Sequence, residues 1–143
     1  MKIDQARRCY ETALKLNSDS GEAYAGLGQI HSFRGDLGQA ETLLLRALEK
    51  NPSLKLPYDM LGLIYLRRGD LLRSRQTYEA LVRRLPADPT GYYGQALILI
   101  EEKRWSDARE RLEKALALEP GAVQTKDLLD FVNRQAEQAK PTQ

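Results

Sequence analysis

Apolar positions recur along the chain at three- and four-residue spacing, the period that gathers them on one face of a helix. Residues 3–16 show it first, with Ile3, Ala6, Tyr10, Ala13 and Leu14 sharing a face. Punctuation between the apolar stretches predicts where further helices start and stop. Ser20 reads as the N-cap of a helix from Glu22 to Arg34, and Gly35 suits the left-handed turn that ends it. Asp36 then caps a second helix, with Gln39 three residues on as in a capping box, and Asn51-Pro52 stop that helix near Lys50. The same devices return further along: Pro57 falls in a first helical turn, and Gly69-Asp70 turns sharply into a helix over Leu71–Leu85. Asp88-Pro89 supplies a cap and first-turn residue for the next helix. Lys103-Arg104 then stands where Gly-Asp stood before, so that turn departs from the pattern. A last helix is predicted over Val123–Ala136, its apolar residues interrupted by Lys126, Asp127, Asp130, Asn133 and Arg134.

These devices repeat because the sequence does. Between Lys55 and Asp88 stand Tyr58, Leu61, Gly62, Tyr65, Gly69, Asp70, Ser74, Tyr78, Leu81 and Pro86, and the same spacings recur 34 residues away on both sides. Upstream they fall on Tyr24, Leu27, Gly28, His31, Gly35, Asp36, Ala40, Leu44, Ala47 and Pro52. Downstream they fall on Tyr92, Gln95, Ala96, Leu99, Lys103, Arg104, Ala108, Leu112, Ala115 and Pro120. A fixed period of this length marks a solenoid, whose units bury their apolar faces only by stacking on one another.

The order within the period, an aromatic, Leu-Gly, Tyr, then Ala, an aromatic and Pro, resembles the tetratricopeptide repeat. Full repeats fit at 21–54, 55–88 and 89–122, and a half repeat at 1–20 fits through Ala6, Tyr10 and Ala13. The resemblance implies an all-α, right-handed superhelical solenoid of antiparallel helix pairs over residues 1–138. Its segment 123–138 would be a polar-backed capping helix and 139–143 a disordered tail. In this register 3–16 is a second helix without its first, as expected for a piece of a longer array. The fold alone assigns no function.

Composition narrows the classes only a little. A formal charge of +2 argues for neither nucleic acid nor an anionic membrane. Cys9 is the only cysteine, which excludes an intrachain disulfide and a cysteine-built zinc cluster. No run approaches the roughly 18 apolar residues of a membrane span, and the polar start is unlike a signal peptide. The compartment stays open. The sequence holds no glycine-rich phosphate loop, paired-carboxylate constellation or metal-ligand spacing, so the reading is a non-enzyme with no cofactor and no metal. His31 replaces Tyr65 and Leu99 as a partly buried packing residue with no acid placed beside it by the pattern, and Trp105 replaces Leu37 and Leu71 in helix packing. Arg67, Arg68, Arg73, Arg75, Arg83 and Arg84 read as a solvated convex face balanced by acids such as Asp70 and Glu79, rather than as a nucleic-acid site.

The stripe Tyr58, Leu61, Gly62 and Tyr65 packs helices together, at about 100° per residue. Asp59, Leu63 and Leu66 lie off that stripe, and in tetratricopeptide proteins this face lines a concave groove that holds a peptide. The equivalent positions are Ala25, Gln29 and Ser32, and then Tyr93, Leu97 and Ile100. Aliphatic residues thus stand where the fold does not need them, and with Phe131 they make a candidate patch of Leu63, Leu66, Tyr93, Leu97, Ile100 and Phe131. Asp59 and Gln29 would orient a partner's polar groups; the alternative is that the last helix folds into the groove and covers it. The family's carboxylate clamp wants Lys and Asn, then Asn, then Lys and Arg, where this chain has Ala25 and Gln29, Met60, and Thr90 and Gly94. Its cations are missing. A reading of another class is self-assembly through uncovered terminal helices, with Ile3, Ala6 and Tyr10 as contacts.

Overall fold

The computed structural model describes residues 2–140, which form eight α-helices. These are α1 (Lys2–Leu16), α2 (Gly21–Phe33), α3 (Leu37–Lys50), α4 (Lys55–Arg67), α5 (Leu71–Arg84), α6 (Thr90–Glu101), α7 (Trp105–Leu118) and α8 (Val123–Gln138). Each helix packs on the next, and the first helices of successive pairs, α2, α4 and α6, also touch. The result is a solenoid of antiparallel pairs, with α8 stacked on α7 where a further first helix would stand. The expected tail divides: Ala139 and Lys140 close the last turn of α8 through bonds to the Gln135 and Glu137 carbonyls, while 141–143 lie outside the described residues.

The caps act as the sequence implies. Ser20 Oγ accepts the Ala23 N–H at 3.2 Å, and Asp36 and Asp70 accept those of Gln39 and Arg73 at 3.1 and 3.0 Å. At α6 the expectation shifts by one residue: Pro89, expected in the first turn, is the N-cap itself, and Asp88 before it accepts the Thr90 N–H at 2.9 Å. The turn at Lys103-Arg104 keeps the geometry of the others. Lys103 has φ +56°, beside +81° at Gly35 and +74° at Gly69. Its N–H meets the Ile100 carbonyl at 2.9 Å and that of Arg104 meets Leu99 at 2.9 Å, the bonds that Gly69 and Asp70 make to Leu66 and Tyr65. A lysine therefore bears the left-handed strain there, and Arg104 spends its guanidinium on Asp107 instead of capping.

The core turns on aromatic rings meeting glycines. Tyr78 is fully buried between Gly62 of its own pair and Gly94 of the next. A Cβ at Gly62 would lie 2.4 Å from the ring, and one at Gly94 only 2.1 Å. Tyr10, 68 residues earlier, sits in the same way on Gly26, 2.3 Å from where a Cβ would be. Where the repeat carries leucine instead, the residue facing it from the next unit is large, Leu44 sharing a core cluster with Met60 and Leu112 with Leu128, although Gly28 still faces Leu44 within its own pair. Ring plus glycine and leucine plus long side chain are two ways of filling one volume. Ser74, at the position of Ala40 and Ala108, ties the same point down by donating to the Gly62 carbonyl at 2.8 Å.

Ion pairs between neighbouring units follow the period too, with one inversion. Arg68 binds Glu41, while at the equivalent places 34 residues on, Glu102 binds Arg75 at 2.5 Å. Much of the arginine-rich stretch is thereby paired, with Arg73 on Asp70 and Glu41. Burial would raise the Glu41 carboxyl, but hydrogen bonds from Arg68 and Tyr65 and the charges of Arg68 and Arg73 outweigh it and hold it low.

Gly94→Ala is expected to cost about 1–3 kcal/mol through overpacking against Tyr78, measured by urea denaturation. In a Tyr78→Leu background most of that penalty should vanish. An equal penalty in both backgrounds would sink the ring-and-glycine account.

Candidate functional site

Side chains on the inner face of a first helix recur every turn, so Asp59 and Leu63 on α4 line up beside Tyr93 and Leu97 on α6. The structure brings these four together in one open cavity of about 530 Å³. Pro89 and Thr90 extend its α6 wall, and the α7–α8 corner closes it with Glu119, Ala122 and the first turn of α8, Val123 to Thr125. Only this first turn of α8 reaches the cavity; further along, Leu128, Leu129 and Val132 pack into the core of α6 and α7. The last helix therefore borders the groove without covering it.

The other candidate residues lie elsewhere. Leu66 packs against the cluster of Tyr58, Tyr78, Leu81 and Ile98, and Ile100 against Ala96, Leu112 and Val132. Gln29 is half-buried on α2, away from the cavity. Phe131 meets Trp105 edge to face, with centroids 6.4 Å apart, and is 37% exposed. At the other end, Ile3 is 47% exposed and Ala6 half-buried, while Tyr10 is seated on Gly26 and so belongs to the packing of α1 on α2. The residues that sequence reasoning missed divide by cause. Pro89 and Thr90 lie one turn before Tyr93, so extending the inner stripe backwards by three and four residues finds them. Glu119 and Ala122 lie in a corner where no helical period runs.

Asp59 is the polar centre of the cavity. Its carboxylate accepts the Tyr78 hydroxyl at 3.2 Å, and its backbone carbonyl accepts the same hydroxyl at 3.3 Å. Burial pushes the Asp59 carboxyl above the ordinary aspartate range, against the Tyr78 hydrogen bond and the Lys55 charge, which pull it down. Burial and the neighbouring Asp59 raise the Tyr78 phenol in turn. Lys55 is held by Asp88 at 3.0 Å. For Asp88 burial works upwards, yet hydrogen bonds from Thr90 and Lys55 win and keep it low.

Residues considered for chemistry are placed as follows. His31 is half-buried, and the expectation that no acid stands beside it is corrected: Asp36 folds back across the turn to put Oδ2 3.4 Å from Nδ1. Cys9 is exposed. Among the described residues no group of three or more His, Cys, Asp or Glu could hold a metal ion, and no helix is long and apolar enough to cross a membrane.

Comparison with known proteins gives two family models, both described as tetratricopeptide repeat, matching residues 2–61 and 60–123. Among curated proteins the chain is 28% identical over 102 residues to cellulose synthase operon protein C of Pseudomonas fluorescens, covering 71% of this chain and 8% of that protein. It is 23% identical over 134 residues to anaphase-promoting complex subunit 3 of Schizosaccharomyces pombe, covering 94% and 20%. With superkiller complex protein 3 of Mus musculus it shares 33% over 75 residues, covering 52% and 5%. The chain thus spans a fifth or less of the length of these relatives. Among solved structures, MamA 41-end from Desulfovibrio magneticus RS-1 matches with TM-score 0.76 at 21% identity, covering 94% of this chain and 76% of that one. The Cut9-Hcn1 hetero-tetramer of APC/C matches with TM-score 0.82 at 20% identity, covering 95% and 27%. Both show the fold.

The raised Asp59 carboxyl has a thermodynamic sign. Its folded value exceeds the roughly 3.9 of a free aspartate, so the native state binds this proton more tightly than the unfolded chain. Between those two values stability falls as pH rises, and above the folded value the whole cost is present. Asp59→Asn should therefore raise the melting temperature at pH 7, with the gain shrinking as pH falls towards 4. Melting curves of both proteins from pH 3.5 to 8 test it, and a gain independent of pH would refute the assignment.

Proposed function

The chain belongs to the tetratricopeptide repeat family, and on that premise we propose that it is a non-enzymatic protein-interaction module that holds a segment of a partner protein in the concave groove. The observation that carries this reading is the open cavity between α4 and α6, where Leu63 and Leu97 stay half-exposed outside the core clusters, beside Tyr93, which packs on the α6–α8 core and still lines the cavity. An apolar side chain of the partner buried there gains roughly 25 cal/mol per Å², and Asp59 orients the partner's polar groups. Relatives named as complex subunits, such as that of the anaphase-promoting complex, support a role in assembly. Nucleic acid fits less well: Arg68, Arg73 and Arg75 are spent on ion pairs between units.

A second reading is favoured by α1, which has no buried residue and exposes Ile3 at 47% and Leu16 at 84%. On that reading copies of the chain associate through this helix, and the groove is incidental.

Two experiments separate them. Affinity capture with the wild type, Leu97→Glu and Leu63→Glu should lose the same partners in both groove variants, by roughly tenfold or more, with melting temperatures little changed. Leu72→Glu, on an exposed leucine of α5 outside the cavity, should keep them. Groove variants that retain every partner would overturn the proposal. Light scattering over a wide concentration range should give a constant monomer mass; a larger species that dissociates in Ile3→Glu would establish the second reading instead. Ile3 is a cleaner probe than Tyr10, whose replacement would also unseat α1 from Gly26.

A further inference from the structure

Resting on the groove reading above, we infer that the captured segment is apolar and carries a lysine or arginine, whose cation is received by Asp59 and Glu119. The charged residues that line the cavity are these two acids, and its walls contain no Lys, Arg or His among the described residues. The nearby Lys55 does not neutralise them, because Asp88 holds its ammonium at 3.0 Å. Helix N-termini border the cavity as well and would by themselves favour an anion. Asp88 occupies that of α6 by accepting the Thr90 N–H, and Glu119 stands in the turn that leads into α8, where its carbonyl takes the Ala122 N–H at 3.2 Å. A carboxylate therefore occupies the start of α6, and a second acid, Glu119, lines the cavity three residues before the N-cap of α8.

The apolar walls suit the rest of such a side chain. Lysine and arginine lay an aliphatic stem along apolar surface while keeping the charge at a polar tip, and Leu63, Leu97 and Val123 offer that surface. Tyr93 adds an aromatic face on which a cation can rest. A lone acid in an apolar cavity is costly to ionise, and a cation beside it restores the charged form. Asp59 is faced by Tyr78 from α5, Lys55 on its own helix and Asp88 from the loop before α6, and Glu119 lines the same cavity from the α7–α8 corner. Lys55 lowers the Asp59 carboxyl, but its ammonium is bound to Asp88, so an incoming cation is the natural direct counter-ion. Affinity should accordingly rise with pH as Asp59 loses its proton.

The test uses the full chain and a random decapeptide phage library, with Leu97→Glu as counter-selection. Peptides that bind the wild type and not Leu97→Glu should be enriched in Lys or Arg next to Leu, Ile or Phe. Replacing that cation with norleucine in a synthetic winner should weaken binding about fivefold. The loss should shrink below about twofold on Asp59→Asn/Glu119→Gln, and partly on Glu119→Gln, a substitution at an exposed site. Leu97-dependent peptides without a cation, or with an acid in its place, would overturn this inference and leave the groove reading standing. Should no peptide distinguish wild type from Leu97→Glu, the groove reading fails and takes this inference with it.

Discussion

A phenol ring of full size cannot be buried between two helices unless both make room for it. Around Tyr78 that room comes from two missing Cβ atoms, at Gly62 and Gly94, which would otherwise lie 2.4 and 2.1 Å from ring carbons. The ring thus sets the distance of α5 from α4 within its pair and from α6 in the next. Everything on the inner face inherits that spacing. Asp59 and Leu63 come to stand across from Tyr93 and Leu97 because α4 and α6 are held by one shared side chain. Tyr10 on Gly26 repeats the arrangement between α1 and α2, while two further interfaces place a leucine with a longer partner, Leu44 with Met60 and Leu112 with Leu128.

The same tyrosine links the core to the groove. Its hydroxyl emerges from the buried ring to donate to Asp59, so the polar centre of the cavity is positioned by a core residue. A groove lined by helix side chains and anchored in this way is ordered by the core itself. The cavity combines apolar walls with two acids, Asp59 and Glu119, on a weakly basic chain. The basic residues lie outside the cavity, and several form the ion pairs that join successive units, such as Arg68 with Glu41 and Arg75 with Glu102.

The helices, their turns and the repeat register were legible because local chemistry decides them. Apolar period, caps at Ser20, Asp36 and Asp70, and the glycines at 35 and 69 act within a few residues of themselves. Even Lys103, which departs from the glycine pattern, adopts the left-handed turn, since the hydrogen bonds of the helix end outweigh the strain of one Cβ. The candidate site was legible only in part. Asp59, Leu63, Tyr93 and Leu97 could be placed on one face by counting along each helix. Leu66, Ile100 and Phe131 satisfied the same count or the same chemistry, but neighbouring helices cover or redirect them: Leu66 and Ile100 pack into core clusters, and Phe131 turns to Trp105.

By itself the sequence determined the kind of unit and its repetition, because a 34-residue period with recurring caps and apolar stripes requires each unit to bury its faces against its neighbours. Only the tertiary structure decided which off-stripe residues share a cavity, that α8 lines its rim rather than filling it, and that Glu119 faces the same space as Asp59. It alone also raised the Asp59 carboxyl. The reason is one of range. Helical period and capping act over three to five residues, whereas burial, and the charge state that follows from it, depends on side chains from helices far apart in the chain.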